Sequence, residues 1–242
     1  MEKDVEVKIY DTPAKLSKKA ARQIAAISQQ EGTHPLHIAL SGGSTPALLY
    51  EILAGKFRDK THWERLHFWW GDERCVEPDS MESNFRMASE RMLSQVPVNP
   101  LQIHRINGEA PPEEEALRYT REMAALVPHR EGFPVFDLVL LGMGDDGHVA
   151  SIFPGELHLM KSNAPCAVAS HPITGQKRIT LTGNSINHAR RIFVLVTGTA
   201  KSPRISEIMN NKKAAQKLPA YYIEPIDGQL TWYLDVDAAA LI

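Results

Sequence analysis

Three polar clusters stand where runs of apolar residues stop: Ser41–Pro46 (SGGSTP), Gly71–Arg74 (GDER) and Gly142–His148 (GMGDDGH). In an open α/β sheet, ligands bind beyond the carboxyl ends of the strands, so this placement brings distant stretches of chain to one rim. The third cluster holds the strongest chemistry. Its glycines let the chain bend sharply and carry Asp146 and His148 toward a substrate. A histidine takes up and returns a proton near neutral pH, and a carboxylate beside it can orient or assist it, directly or through water. The competing reading is a structural turn in which His148 caps a helix. In the second cluster, Arg74 suits a carbonyl oxygen developing negative charge, or a phosphate. Asp72 suits a substrate hydroxyl, or holds Arg74 in place. Here the competing reading is a solvated ion-pair cluster.

The first cluster combines small residues, hydroxyls and backbone N–H groups at a predicted helix start. Ser41, Gly42, Gly43, Ser44 and Thr45 are therefore equipped to cradle a phosphate or another anion. They fit a tight strand-to-helix turn with a Ser44 or Thr45 cap equally well. The loop lacks the GK[ST] ending of a nucleotide P-loop. Arg178, in QKRITLT, and Lys201, in GTAKSP, can each bring a cation to a phosphate, although either alone reads as a surface charge. Gly142, Gly144 and Gly147 match GxGxxG literally, but Asp145 and Asp146 inside it oppose a diphosphate. No acid stands about 20 residues on to take a ribose. A dinucleotide site is therefore disfavoured. No HExxH, paired CxxC or 2-His-1-carboxylate spacing suggests a metal, and GxSxG is absent.

Alternating apolar runs and amphipathic stretches supply the scaffold. Strands are predicted at 5–10, 36–40, 66–70, 136–141 and 191–197, with a short one at 102–106 and a last one in LTWYLD. Helices are predicted at 13–30, from 44 through 53, at 83–93, at 111–127, after Lys201, and in the terminal DAAALI. Thr12 and Pro13 form a start signal for the first. Trp69 and Trp70 read as packing residues rather than a stacking platform. This alternation implies an α/β fold: a three-layer αβα sandwich around a mostly parallel, Rossmann-like open sheet. The chain reads as one domain over 1–242, with 154–178 as an irregular insertion or lid.

Composition narrows the function further. The 242 residues are 43% hydrophobic, with 27 Lys and Arg against 29 Asp and Glu, a net charge of −2. That balance gives no basic excess for general nucleic-acid binding, but allows a local anion pocket. Two cysteines, Cys75 and Cys166, make no disulfide framework. The charged start is not a signal peptide, and no apolar run is long enough to span a membrane. The expectation is a cytoplasmic monomer with no membrane or nucleic-acid partner.

SGGSTP, WWGDER and LGMGDDGHVASIFPG, in that order, resemble the 6-phosphogluconolactonase family. RITLT, GTAK and the terminal WYLD pattern extend the resemblance over essentially the whole chain. The resemblance implies a cofactor-free, metal-free hydrolase acting on 6-phospho-D-glucono-1,5-lactone, in the oxidative branch of the pentose phosphate pathway. It places the general base on His148, with Asp146, Arg74 and Asp72 around the reacting group. It places the substrate loop on Ser41–Thr45, with Arg178 and Lys201 near the phosphate. A glucosamine-6-phosphate deaminase-like enzyme and a non-catalytic sugar-phosphate sensor are the alternatives.

Overall fold

The structure, a computed structural model, describes residues 4–32 and 34–242. Among the described residues, eleven strands and six α-helices follow one another. They begin β1 (Asp4–Tyr10), α1 (Pro13–Ser28), β2 (Leu36–Leu40), α2 (Ser44–Lys56), β3 (Leu66–Trp70), β4 (Asp72–Arg74) and α3 (Asn84–Arg91). Next come α4 (Pro112–Leu126), the short hairpin β5 (His129–Arg130) and β6 (Phe133–Pro134), and β7 (Leu138–Gly142). The chain ends with β8 (Cys166–Ser170), β9 (Lys177–Leu181), α5 (Gly183–Asn187), β10 (Arg191–Val196), α6 (Ser202–Met209) and β11 (Gln229–Asp235).

Six of the strands form one sheet in the order β1-β11-β10-β7-β2-β3, with every pair parallel. Its central strands are continuous apolar runs such as LVLLG and RIFVLV, buried on both faces. That pattern belongs to a sheet covered by helices on both sides. The chain leaves β2 toward β3 at one edge, but leaves β7 toward β10 in the opposite direction. Right-handed crossovers then put α1 and α2 on one face, where α1 does pack against α2. The strand order therefore switches direction between the neighbours β2 and β7. At such a switch point the outgoing loops diverge and leave a crevice.

Two buried tyrosines tie down the chain where strands end. The Tyr50 hydroxyl accepts from the Ser41 N–H (3.0 Å) and donates to its carbonyl (2.8 Å). The Tyr119 hydroxyl does the same for Trp70, at 2.8 and 3.1 Å. Each satisfies two backbone groups that the sheet leaves unpaired, which would otherwise be costly to bury. Trp69 and Trp70 are wholly buried, as packing residues should be.

Several expectations are corrected. Residues 102–106 make no strand. Only Ile103 bridges to Phe68, because a 3-10 turn at Pro100–Gln102 uses the preceding backbone. The DAAALI tail forms turns rather than a helix. The stretch 154–178 is not irregular: it holds a 3-10 segment at Pro154–Lys161 and strand β8. Strands β4, β9 and β8 pair antiparallel as a second sheet, so Asp72–Arg74 of GDER lie within a strand rather than in a loop after one.

Candidate active site

A cleft of about 230 Å³ opens at the switch point. Every site residue predicted from the sequence lines it except Asp146, which reaches it through His148. The loop after β2 supplies one wall. Gly43, at φ +99°, occupies the N-cap position of α2, and no side chain caps that helix. This corrects the predicted cap: Ser44 and Thr45 already lie inside the first turn, and the Thr45 hydroxyl meets that of Thr197 at 2.8 Å instead. The first N–H groups of α2 thus face the cleft without a side-chain partner, at the positive end of the helix. An anion can take that place.

The loop after β7 supplies the acid–base group. His148 Nδ1 lies 2.6 Å from Asp146 Oδ1, and the same oxygen accepts from the His148 backbone N–H at 3.1 Å. Burial alone would raise the Asp146 carboxyl, but the bond to His148 and its charge outweigh that and hold it below the usual range. An ionised carboxylate only accepts, so the proton of this bond sits on Nδ1 and leaves Nε2 as the free base. Gly144 is required by close approach: a Cβ there would stand 2.1 Å from His148 Nδ1 and 2.8 Å from Asp146 Oδ1.

The small antiparallel sheet supplies the cations. Arg74 on β4 is paired directly with Arg178 on β9. The Nε of each is buried with no hydrogen-bond partner. Desolvation and then the Arg74 charge lower the Arg178 guanidinium pKa, and its Cζ lies 5.7 Å from the centre of the Phe153 ring. Lys201 belongs to a 3-10 turn at Thr199–Lys201 just before α6, and its ammonium pairs with Asp145. Asp72 is buried, with Oδ2 accepting from the Ser151 hydroxyl at 2.6 Å. The predicted acidic and basic residues thus converge from β4, β9 and the loops after β7 and β10, facing the loop after β2.

The comparisons with known proteins now decide the family. The profile of the glucosamine-6-phosphate isomerases/6-phosphogluconolactonase family matches residues 11–232. A 6-phosphogluconolactonase of Treponema pallidum is 42% identical over 86% of this chain and 89% of its own. One of Haemophilus influenzae is 40% identical over 93% and 94%. The chain belongs to the 6-phosphogluconolactonase family. In fold, it is similar to the solved 6-phosphogluconolactonase of Trypanosoma brucei, with a TM-score of 0.84 at 31% identity over 99% of each chain.

Sequence reasoning missed several residues that build this family member's cleft. Asn84, the first residue of α3, lines it and donates to the Asp72 carbonyl at 2.9 Å. Glu73, taken with its neighbours as part of a charged cluster, is buried beneath them. Its carboxylate accepts from the N–H groups of Arg74, Asn84 and Phe85, each at 2.8 Å, and from the Ser83 hydroxyl at 3.0 Å. It anchors the start of α3, and nothing in the spacing of GDER distinguishes that carboxylate from Asp72. Ser151 follows Ala150, whose φ of +49° is unusual for a residue with a side chain. That turn carries Ser151 from the His148 loop to Asp72. Burial pushes the Cys75 thiol up to about 11 and the Cys166 thiol up to about 12, which favours the protonated thiol at neutral pH.

No described helix is long and apolar enough to cross a membrane.

Proposed function

We propose that the protein hydrolyses 6-phospho-D-glucono-1,5-lactone to 6-phospho-D-gluconate, the reaction for which its relatives are named. The observation that carries this reading is the oriented imidazole. His148 faces the same cleft as Arg74, Arg178, Lys201 and the open start of α2. One side of that cleft holds a base, and the rest offers cations and N–H groups to an anionic substrate.

The 6-phosphate is held by the Ser41–Thr45 loop and helix start, with Lys201 and Arg178 supplying charge. Binding energy from this remote group positions the lactone carbonyl beside His148. His148 Nε2 takes a proton from water, and the water oxygen attacks C1. Asp146 keeps the imidazole in the required tautomer and stabilises the imidazolium that forms. Charge developing on the carbonyl oxygen is met by Arg74. Asp72, fixed by Ser151, binds a sugar hydroxyl. The tetrahedral intermediate then expels the ring oxygen, and the Nε2 proton passes to it as the new hydroxyl leaves.

The deciding experiment measures proton release from freshly made 6-phosphogluconolactone in weak buffer with EDTA, for wild type and His148→Ala. Acceleration over spontaneous hydrolysis by wild type, and its loss in a folded variant, supports the reading. A folded wild type without acceleration overturns it, and an ammonia assay on glucosamine 6-phosphate then tests the deaminase alternative.

A further inference from the structure

The two edges of the main sheet are finished differently. Along β3, the chain at Ile103 and His104 covers the edge, with the His104 N–H donating to the Phe68 carbonyl at 2.8 Å. Along β1, no described segment covers the seven-residue edge; the Val236 N–H that meets the Tyr10 carbonyl comes from the β11 side and continues that ladder. An uncovered edge is a template for another strand. The side chains of β1 strengthen this. Val5, Val7 and Ile9 share one face and are 49, 42 and 50% exposed. Their register partners on β11, Leu230, Trp232 and Leu234, are buried. Val236, 47% exposed, extends this apolar row past the end of β1. On the opposite face of β1, Glu6 and Lys8 form an ion pair at 2.5 Å.

We propose that β1 pairs antiparallel with β1 of a second copy about a two-fold axis at Val7, which joins the two sheets edge to edge. The sequence DVEVKIY is complementary to itself in this register. Val7 meets Val7, Val5 meets Ile9, and Glu6 meets Lys8 of the other copy. Opposed β-branched residues and opposite charges are the favourable cross-strand pairs. The neighbouring registers are worse. A slip of one residue sets Val against Glu and Lys and turns the apolar row to the wrong face. A shift to either side that keeps the faces sets Glu6 against Glu6, or Lys8 against Lys8. The intrachain Glu6–Lys8 pair becomes an alternating four-charge network. This dimer, formed as concentration rises from the monomer expected from the sequence, does not depend on the reaction proposed for the cleft.

Sedimentation velocity over a concentration series tests it with the full chain. Wild type should associate into dimers as concentration rises. Glu6→Lys and Lys8→Glu should each weaken association about tenfold by opposing like charges. The double variant Glu6→Lys/Lys8→Glu exchanges the two charges and should restore it, while Val7→Lys should abolish it. Activity in dilute solution reports the fold of each variant, since none of these residues lines the cleft. A wild type that stays monomeric at the highest concentration overturns the proposal. So does a dimer that the single variants leave unchanged, or one that the double variant fails to restore.

Discussion

Arg74 and Arg178 face each other across the β4–β9 ladder, two like charges at one register position. Directly opposed like charges destabilise a sheet, and both Nε groups are buried without a partner. The free protein therefore carries a cost that, in the proposed function, the bound substrate relieves. Replacing Arg178 with Met keeps much of its packing over Phe153 while removing the charge. The expected result is a free protein more stable by about 0.5–1 kcal/mol, with a melting temperature a few degrees higher and a KM raised about tenfold or more. Thermal melts with and without phosphate, beside steady-state kinetics, check both halves. A less stable variant with unchanged KM would show that the pair is only structural.

The Asp146–His148 bond makes a separable prediction. Asp146 stays ionised through the neutral and mildly acidic range, because its carboxyl lies below the usual value. A fall in kcat/KM through the neutral and mildly acidic range is therefore not due to this carboxylate. Asp146→Asn releases the Nδ1 proton from its ionised acceptor and should lower kcat by roughly 10²–10⁴-fold, with KM little changed. The acid limb should survive in the residual activity. Its disappearance would instead make Asp146 the titrating base.

Much of this arrangement was legible because three polar clusters end three apolar runs, and strand ends in a parallel sheet share a rim. That logic located Ser41–Thr45, Asp146 and His148 without knowledge of their contacts. It failed for Glu73, because an anchoring carboxylate and a substrate-facing one differ only in which way the strand turns them. It also missed Asn84 and Ser151, ordinary residues in a helix start and a loop, whose importance comes from Asp72, distant in sequence. Residues 154–178 read as irregular since β8 alternates weakly, as CAVAS, and gains its order from pairing with β9. The register of β4 against β9, which sets Arg74 beside Arg178, is a long-range fact that no local pattern encodes.

A buried histidine cluster, His37 on β2, His67 on β3 and His104 beside them, should lower stability in acid. His37 accepts from the Trp69 indole N–H at 3.1 Å, its ring lies 5.3 Å from that of His67, and His67 meets His104 at 3.0 Å. Burial, with the charges of His67 and His104, lowers His37 to about 4 from the usual 6.5. His67 is lowered too, by burial and then His104. Between those values the unfolded chain binds a proton that the folded one refuses, so stability falls as pH drops from 6.5 toward 4. For His37 alone the loss approaches about 3 kcal/mol. Urea unfolding at stepped pH should show this slope in wild type and a shallower one in His37→Gln. Parallel slopes would remove His37 as the cause.

Lys201 is engaged before substrate arrives, since its ammonium pairs with Asp145 on the loop that carries His148. In the proposed function, the substrate phosphate at the start of α2 competes with that carboxylate for the lysine. Asp145 is exposed, so the pair itself adds little to stability. Removing its charge should therefore favour the ligand: Asp145→Asn is expected to lower the phosphate inhibition constant and KM by about two- to fivefold. Lys201→Ala should act in the opposite direction, raising KM for the phosphorylated lactone while sparing the unphosphorylated one. The double variant separates the two effects. If Asp145 acts only by withholding Lys201, then Asp145→Asn brings no gain once Lys201 is gone. A gain that persists would mean Asp145 repels the phosphate directly, and Lys201 would lose its place as the contested cation.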